Sequence, residues 1–460
     1  MARGKKKEPL TPEDRLQASL VPESEQPYPV PGNWCWVYWG VCGDFQAGSA
    51  FKNEYQGLTE YKIPFYKVGS LKYSDSNGIL YDTSNTVNEE VRIKLKAALI
   101  PKNSIIFAKI GEAIRLNRRS INPVPCCIDN NLMSFYAKVC LTKYVYFWSL
   151  GIDLYNYTNA TTVPAIRKSD LEKVAFPLAP SVEQQRIVDR IESLFAKLDE
   201  AKQKAQDALD SFETRKAAIL HKAFNGELTA QWRKKHSIGM ESWETKKLSE
   251  VSTLQTGLMK GKNYSGKTVM LPYLRVANVQ DGFLNLSEIK EIEVSEELID
   301  RYSLKNGDVL FTEGGDYDKL GRGTVWQGQI KNCLHQNHVF VVRPQADVLS
   351  PYFLSYQAGS RYGKQYFLKC SKQTTNLASI NSTQLKGFPV LMPTIEEQAQ
   401  IVLLIDDLLA KEQQAKEAAE GVLEQIDLIK KAILARAFRG ELGTNDPCEE
   451  SAVELLSFKI

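Results

Sequence analysis

The sequence predicts an α+β protein, in which two α/β-type globular domains are joined by two long antiparallel coiled-coil helices as a pseudo-twofold repeat. A Pro…Glu-Gln motif occurs twice, at Glu183-Gln184 and at Glu397-Gln398, with a period of 214 residues. Each copy opens a long charged stretch with heptad spacing, and each stretch closes on Ala-Phe-x-Gly-Glu-Leu. A period this long indicates a duplicated unit of one domain and one helix.

The predicted divisions of the chain follow this repeat. They are an N-terminal arm (1–32), a first globular domain (33–180), a first spacer helix (181–225), a linker (226–241), a second globular domain (242–392), a second spacer helix (393–438) and a C-terminal tail (439–460). The arm combines prolines with charges, which predicts an extended segment with one helical turn near residues 13–20.

Both globular domains contain short apolar, β-branched and aromatic runs that predict strands, mixed with runs of helical character. Landmarks recur in the same order in both domains, for example Gln46 with Gln255 and Phe107 with Phe311. Between these landmarks the two sequences diverge almost completely. We therefore expect one scaffold that carries different loops in its two copies.

The two spacer stretches have small or apolar residues that alternate four and three positions apart, which predicts a coiled-coil seam. The seam positions are Ile187, Ile191, Leu194, Leu198, Ala201, Ala205, Ala208, Phe212 and Ile219, and Ile401, Ile405, Leu408, Ala415, Ala419, Val422, Ile426, Ile429 and Ile433. Because each helix follows one copy of the repeated domain, a pseudo-twofold axis would pair them antiparallel. An independent homodimeric coiled coil is the alternative.

Composition restricts the classes of function. The formal net charge of the 460 residues is only +3, so nucleic-acid binding would need local basic patches or a partner. No apolar run reaches the roughly 18 residues of a membrane span, and no secretory signal is present, which predicts a cytoplasmic protein without a membrane partner. The eight cysteines include no CxxC pair and are expected to be reduced thiols.

Two patterns suggest other chemistry, but their context does not favour it. Residues 261–268 match the phosphate-binding loop of ATPases, which has to follow a buried strand and open a helix. Here a polar stretch precedes the match and a strand-like run follows it. The apolar run that ends in Asp406 and Asp407 resembles the magnesium-binding strand of such ATPases, but it lies within the heptad seam. Cys333, His335 and His338 would lack a fourth zinc ligand. The sequence context therefore does not favour an ATPase, which stays open as a less favoured hypothesis.

Several motifs agree in order with one known family. The closing runs at residues 223–233 and 437–442, together with residues 107–112, 127–131, 312–316 and 335–339, resemble the specificity subunit of Type I restriction–modification enzymes. The resemblance implies a non-catalytic subunit whose globular domains are target recognition domains. Each would read one half of a bipartite, asymmetric DNA site, while the helices set the gap and dock methylation subunits.

The resemblance also implies the partners: double-stranded DNA, two methylation subunits and restriction subunits. It implies no cofactor in this chain, since S-adenosylmethionine, ATP and Mg²⁺ would be used by the partner subunits. Methylating an adenine inside a duplex requires base extrusion, so the scaffold would hold a methylase over each half-site. A two-headed coiled-coil adaptor that binds proteins is the alternative function.

Candidate DNA contacts are residues whose side chains can bind base edges or phosphates. In the first domain they are Lys109, Arg115, Asn117, Arg118, Arg119, Asn130, Asn131 and Tyr157; in the second they are Arg275, Asn278, Tyr317, Lys319, Arg322, His335, Gln336, Asn337, His338, Lys372 and Thr375. Candidates for partner docking or spacer formation are Glu183, Gln184, Phe224, Gly226, Glu227, Glu397, Gln398, Phe438, Gly440 and Glu441. No metal ligand is expected.

Overall fold

Two folded units make up the chain in the computed structural model, and each long helix contributes residues to both. The structure describes residues 11–159, 163–261, 266–315, 320–321, 323–373 and 378–457. One unit contains residues 1–204 and 422–460, and the other contains residues 205–421. Among the described residues, no helix combines the length and the apolar character that crossing a bilayer requires.

Helices and strands alternate along both units. The α-helices of the described residues are α1 (Pro12–Ser19), α2 (Glu89–Lys94), α3 (Thr142–Leu150), α4 (Lys168–Leu171), α5 (Ser181–Asp210), α6 (Phe212–Phe224), α7 (Ala230–Lys235), α8 (Leu248–Val251), α9 (Ile299–Tyr302), α10 (Pro351–Gly359), α11 (Arg361–Cys370), α12 (Ser382–Lys386), α13 (Ile395–Ala437) and α14 (Ala452–Ser457). The strands of the first unit are β1 (Cys35–Tyr38), β2 (Gly43–Ala47), β3 (Ile63–Tyr66), β4 (Thr86–Val87), β5 (Ile105–Ala108), β6 (Arg119–Ile121), β7 (Cys127–Ile128), β8 (Leu132–Ala137) and β9 (Ala175–Leu178). Those of the second unit are β10 (Glu244–Lys247), β11 (Ser252–Gln255), β12 (Thr268–Leu274), β13 (Lys290–Ser295), β14 (Val309–Thr312), β15 (Gly314–Gly315), β16 (Gly323–Val325), β17 (Leu334–His335), β18 (Val339–Pro344), β19 (Lys372–Gln373), β20 (Ala378–Ser379) and β21 (Pro389–Met392).

The two units share the same three sheets. In the first unit the strand orders are β1-β9, β2-β8-β5-β6 and β4-β3-β7, and in the second they are β10-β21, β11-β18-β14-β16 and β13-β12-β17. The pairs β3–β7 and β12–β17 are parallel in both copies. A small sheet, β15-β20-β19, is added in the second unit. This equivalence confirms the predicted repeat of one scaffold.

Aromatic side chains fill both cores. In the first unit, Trp39 is fully buried and its ring lies 4.8 Å from Phe45 and 4.9 Å from Trp148. In the second unit, the buried rings of Phe367 and Phe388 stack at 5.1 Å. Large rings of this kind bury extensive apolar area, so each unit has a substantial core of its own.

The long helices pair antiparallel within each unit, as the sequence predicts. In the first unit, Lys430 Nζ donates to Asp199 Oδ1 at 2.6 Å, while Arg186, earlier on α5, bonds to Glu449 beyond the end of α13 at 2.7 Å. In the second unit, α6 pairs with the first half of α13, where Arg215 Nε donates to Glu412 Oε2 at 2.6 Å.

The predicted seam of α13 is only partly correct. Ala419 and Ile426 face inward, with exposures of 8% and 3%, but Val422 and Ile429 are 40% and 42% exposed. Ala415 is exposed as well. Charged residues take the inward positions instead: Lys416 lies over the Phe212 ring, and Lys430 lies over the Phe195 ring, each at 5.0 Å. Their aliphatic stems pack along the partner helix while their ammonium groups reach ring faces or carboxylates.

The first spacer is interrupted, although the sequence predicts one helix over residues 181–225. Helix α5 ends at Asp210, and α6 starts at Phe212. Between them, the Ser211 hydroxyl donates to the carbonyls of Asp207 at 2.8 Å and Ala208 at 3.1 Å. Serine hydroxyls that bond back to the preceding turn compete with the helical ladder and bend the helix, which explains the break.

Candidate nucleic-acid interface

Three polar loops meet at one edge of the first domain. The backbone N–H of Lys109, which follows β5, donates to the Asn131 carbonyl in the loop after β7 at 2.8 Å. The Lys109 carbonyl accepts from the Ile166 N–H at 2.9 Å, and the Asn159 N–H donates to the Ala165 carbonyl at 2.9 Å. We call the surface formed by Lys109, Asn130, Asn131 and residues 157–159 surface A.

The equivalent loops of the second domain meet in the same way. The Glu313 N–H, after β14, donates to the His338 carbonyl at 3.0 Å, and the Glu313 carbonyl accepts from the Ile380 N–H at 2.7 Å. The small sheet pairs Ser379 with Gly314 on one side and with Lys372 on the other. We call the surface formed by Glu313, Lys372 and residues 336–338 surface B.

Two glycines allow the loops of surfaces A and B to lie directly against the sheet backbone. Gly48 and Gly257 each follow a matching Gln, at Gln46 and Gln255, on the equivalent strands β2 and β11. A Cβ at Gly48 would lie 2.0 Å from the Asp129 carbonyl oxygen, and one at Gly257 would lie 2.1 Å from that of His335. Only glycine permits so close a backbone approach, so the repeated glycine fixes where the loops after β7 and β17 leave the sheet.

Surface A presents amide and ammonium groups. Asn130 is exposed, whereas Lys109, Asn131 and Tyr157 are half-buried. The buried Asp129 carboxylate accepts from the Asn131 N–H at 2.9 Å, which makes an Asx-type turn. Burial raises the pKa of Asp129, and the hydrogen bond from the Asn131 backbone opposes that shift. This turn orients the two asparagine side chains.

The basic cluster of the first domain divides into outward and inward members. Arg118 is exposed. Arg115 is also exposed; it pairs with Glu112 at 2.7 Å, and its guanidinium stacks 3.6 Å above the Tyr155 ring. These two arginines are available to an anionic partner. Arg119 and Asn117 lie further in.

Arg119 holds the domain together from inside. It is 4% exposed, and its Nη2 donates to the carbonyls of Ser149 at 3.0 Å and Ile152 at 3.1 Å and to Asn117 Oδ1 at 3.0 Å. Burial lowers the pKa of its guanidinium to about 9. The Asn117 amide donates to the Ile152 carbonyl and accepts from Leu154 N–H. These placements do not favour Arg119 or Asn117 as DNA contacts.

In the second domain, His335 is a scaffold residue. It is 1% exposed, and its Nδ1 lies 2.7 Å from the Val339 carbonyl oxygen, which can only accept a hydrogen bond. Burial lowers the pKa of His335 to about 4, so the imidazole is neutral near pH 7. Gln336 and Asn337 are half-buried and His338 is exposed, which leaves these three residues on surface B.

Asn278 also has an internal role, because it is 3% exposed and bonds to the Arg275 N–H and to the carbonyls of Asn285 and Glu288. Arg275 is half-buried, 3.6 Å from the Glu288 carboxylate. Lys372 is exposed. The remaining candidates, Tyr317, Lys319, Arg322 and Thr375, lie outside the described residues.

The glutamates of the repeated Glu-Gln motif form buried hydrogen bonds within each unit. Glu183 is fully buried and accepts from Trp34 Nε1 and from Asn445 Nδ2, each at 2.7 Å. Glu397 is equally buried and accepts from Arg233 Nη1 at 2.6 Å and from Trp243 Nε1 at 3.0 Å. The two tryptophans occupy matching positions of the repeat, so the same buried Trp–Glu hydrogen bond occurs in both units.

The glutamines of the motif bind backbone groups. Gln184 accepts from the Leu141 N–H at 2.9 Å and donates to the Ala179 carbonyl at 2.9 Å. Gln398 accepts from the Ser350 N–H at 2.9 Å and donates to the Val348 carbonyl at 3.0 Å. Each glutamine thus ties the start of a long helix to the residue that precedes α3 or α10.

The closing runs of the spacers are internal as well. Phe224 packs edge-on against Phe353 at 5.4 Å, and Phe438 packs in the same way against Tyr144 at 5.1 Å. Gly226 and Gly440 have positive φ angles of 82° and 74°, which favour glycine at a helix end. Of the predicted docking residues, Glu227 and Glu441 are exposed.

The match to a phosphate-binding loop lies in a different context from the one its chemistry needs. Residues 262–265 are outside the described part of the chain. Thr268 begins the strand β12 and not a helix, and Asp406 and Asp407 lie within α13. The geometry that would place helical amides around a phosphate is therefore not formed at Thr268.

Glu313 is the residue of surface B that sequence reasoning missed. Cationic and amide side chains are the usual contacts of DNA, so residue type alone does not single out a carboxylate. The available signal was its position two residues after Phe311, which matches the position of Lys109 two residues after Phe107.

Comparisons with known proteins agree on one family. A family model described as the Type I restriction modification DNA specificity domain matches residues 42–209 and 240–421. The Type I restriction enzyme EcoKI specificity subunit of Escherichia coli is 30% identical over 285 residues, and the StySPI specificity subunit of Salmonella potsdam is 26% identical over 281 residues. The matches cover 60% of this chain and 60% and 59% of these relatives, respectively.

Solved structures show the same fold. The crystal structure of an HsdS subunit from Thermoanaerobacter tengcongensis aligns with a TM-score of 0.60 at 19% identity, covering 91% of this chain and all of that one. A chain from a study of complex assembly and conformational transition of the type I R-M system aligns with a TM-score of 0.60 at 18% identity, covering 90% of this chain and all of that one.

Proposed function

Because the chain belongs to the Type I restriction modification DNA specificity domain family, we propose that it is the DNA-reading subunit of such an enzyme. The observation that carries this proposal is the pair of surfaces A and B. The same scaffold brings equivalent loops together in both domains, while the side chains on those loops differ. Such a chain would read two different short base sets, and hence a bipartite, asymmetric site.

The proposed contacts combine positioning and reading. Arg115 and Arg118 are exposed cations suited to phosphates, which position a protein on DNA without reading its sequence. Asn130 and Asn337 carry amides, which can bind adenine edges in two places at once. The low net charge of +3 fits local contacts of this kind, with further phosphate contacts supplied by partner subunits.

The long helices are proposed to set the gap between the two half-sites and to dock the methylation subunits. Helix α13 is continuous over 43 residues, and a helix of that length extends about 65 Å. Its C-terminal part exposes Val422, Ile429 and Leu428, the last of these at 65%. Apolar side chains that stay uncovered in a unit's own packing support docking of helices from methylation subunits. The exposed Glu227 and Glu441 are further docking candidates.

The chemistry in this proposal belongs to the partners, and the chain itself is non-catalytic. Two methylation subunits would use S-adenosylmethionine, and restriction subunits would use ATP and Mg²⁺, in the cytoplasm where the enzyme meets its DNA. The internal roles of the buried Glu183 and Glu397 support the view that the Glu-Gln motif builds the scaffold.

Co-expression with the family's methylation subunits tests the proposal, with methylome sequencing as the measurement. We expect N6-methyladenine at two short base sets separated by a constant number of unread bases. One continuous site, or no methylation, would count against the proposal. Lys267→Ala is the matched control for the ATPase hypothesis and should leave the methylated site unchanged.

Binding of the purified complex to DNA at increasing salt separates the adaptor hypothesis from this one. A protein that neutralises several phosphates loses affinity steeply with salt, because counterions are released on binding. A protein-binding adaptor would show no such dependence on salt and no preference for duplexes that carry the methylated site.

A further inference from the structure

Lys109 and Glu313 occupy the same position in the two domains but carry opposite charges. Each directly follows an inner strand of the four-stranded sheet: Lys109 follows β5, and Glu313 follows β14. The Lys109 N–H donates to the Asn131 carbonyl, and the Glu313 N–H donates to the His338 carbonyl. The carbonyls of Lys109 and Glu313 accept from the N–H groups of Ile166 and Ile380, respectively. The equivalence therefore rests on two matched backbone bonds and on matched strand pairing.

The side chain of Lys109 is available on surface A. It is half-buried, with its backbone fixed by Asn131. Within the described residues, no hydrogen bond or ion pair engages its ammonium group. A lysine can only donate hydrogen bonds, and in the major groove the groups that accept two of them are guanine O6 and N7.

The side chain of Glu313 is held by its neighbours on surface B. Its carboxylate contacts His338 Nδ1, and the Asn337 amide nitrogen lies 3.3 Å from His338 Nε2. Since an amide N–H can only donate, His338 Nε2 accepts, and the proton on Nδ1 is directed at Glu313. This chain of contacts occupies one carboxylate oxygen and fixes the rotamer.

The second carboxylate oxygen can accept from a ligand. Glu313 keeps 36% of its side chain exposed. A pair as exposed as Glu313 and His338 adds little to stability, so the contact is better explained as positioning. A carboxylate can only accept hydrogen bonds, and its preferred base partner in the major groove is the N4 amino group of cytosine.

We propose that Lys109 and Glu313 are the equivalent base-reading residues of the two domains, with Lys109 recognising guanine in one half-site and Glu313 recognising cytosine in the other. This inference rests on the proposed DNA-reading function. It goes further by assigning one base class to each half-site, through a residue pair that the domain repeat itself matches.

Single substitutions at these positions test the assignment by methylome sequencing of the co-expressed complex. Glu313→Lys should exchange the preference at one base of the second half-site from cytosine to guanine, with a loss of about 10- to 100-fold on the original site. The first half-site should stay unchanged. Lys109→Glu should produce the reverse exchange in the first half-site only.

Conservative variants keep the test decisive if a charge reversal impairs folding. Glu313→Gln retains the side-chain length, and Lys109→Gln shortens the side chain by one bond. An amide pairs best with adenine, so each change should shift one position of its half-site towards adenine. Glu244→Lys and Lys102→Glu are matched controls, because both residues are exposed and lie outside surfaces A and B. Neither should change the site.

The outcomes separate this inference from the function on which it rests. A wild-type complex without a bipartite site would overturn the proposed function. A bipartite site that keeps the same bases in all four variants at Lys109 and Glu313 would overturn the inference alone. A change in both half-sites from one substitution would also contradict it, since each residue is assigned to one half.

Discussion

Acid should weaken the second domain through His335, which burial keeps neutral. The pKa of His335 is lowered to about 4 in the folded chain, against about 6.5 in an unfolded one. Between these values the unfolded chain binds more protons than the folded chain. The free energy of unfolding therefore rises with pH in this window, and the contribution of neutral His335 is lost as pH falls from about 6.5 to 4.

The magnitude follows from the two pKa values. Protonation of the unfolded chain has almost no effect on stability at pH 7 and costs about 2 kcal/mol at pH 5. The difference corresponds to a population of the unfolded second domain that is roughly 20-fold larger at pH 5 than at pH 7. The first domain has Ile128 at the equivalent sheet position, so this contribution is absent there.

Native-state hydrogen exchange, corrected for the intrinsic pH dependence of exchange, measures the effect strand by strand. Amides of β12, β17 and β18 should lose protection between pH 7 and pH 5 by this factor more than amides of β3, β7 and β8. His335→Gln removes the titration and keeps an amide that can donate to Val339. Equal losses in that variant and in the parent chain would refute the reasoning.

Three further predictions concern other parts of the fold. Arg233→Ala leaves the buried carboxylate of Glu397 without its cation and should lower the free energy of unfolding by about 3–5 kcal/mol, measured by urea denaturation. An unchanged free energy of unfolding would show that the Arg233–Glu397 pair does not stabilise the fold. Arg118→Ala should weaken DNA binding uniformly across sequences and reduce the salt slope by about one; an altered base preference would instead identify a base contact. The double change Val422→Ser and Ile429→Ser should lower the affinity for methylation subunits in a pull-down titration without changing helix content by circular dichroism; unchanged affinity would place docking elsewhere.

The repeat and the antiparallel helices could be predicted because duplicated motifs record them in the sequence. The detailed seam could not. Val422 and Ile429 fit the apolar heptad pattern, yet Lys416 and Lys430 take the inward positions. A lysine at a helix interface depends on a ring or carboxylate from the partner helix, and no local pattern reveals that partner.

The burial of a polar side chain could not be predicted from its residue type. The loops around Asn130 and Asn337 are predicted DNA contacts because their amides can bind base edges, and that contact stays a prediction. Arg119 and His335 have the same chemistry as surface residues, but the fold turns them inward to bind backbone carbonyls. Whether a cation satisfies carbonyls inside or phosphates outside depends on tertiary contacts that a single sequence does not show.

Domain exchange tests the central claim most directly. Residues 33–180 would be replaced by the corresponding domain of another family member, and the methylome of cells co-expressing the methylation subunits would be sequenced. The account predicts that one half of the methylated site changes, while the other half and the number of unread bases stay the same. A site in which both halves change, or neither does, would contradict it.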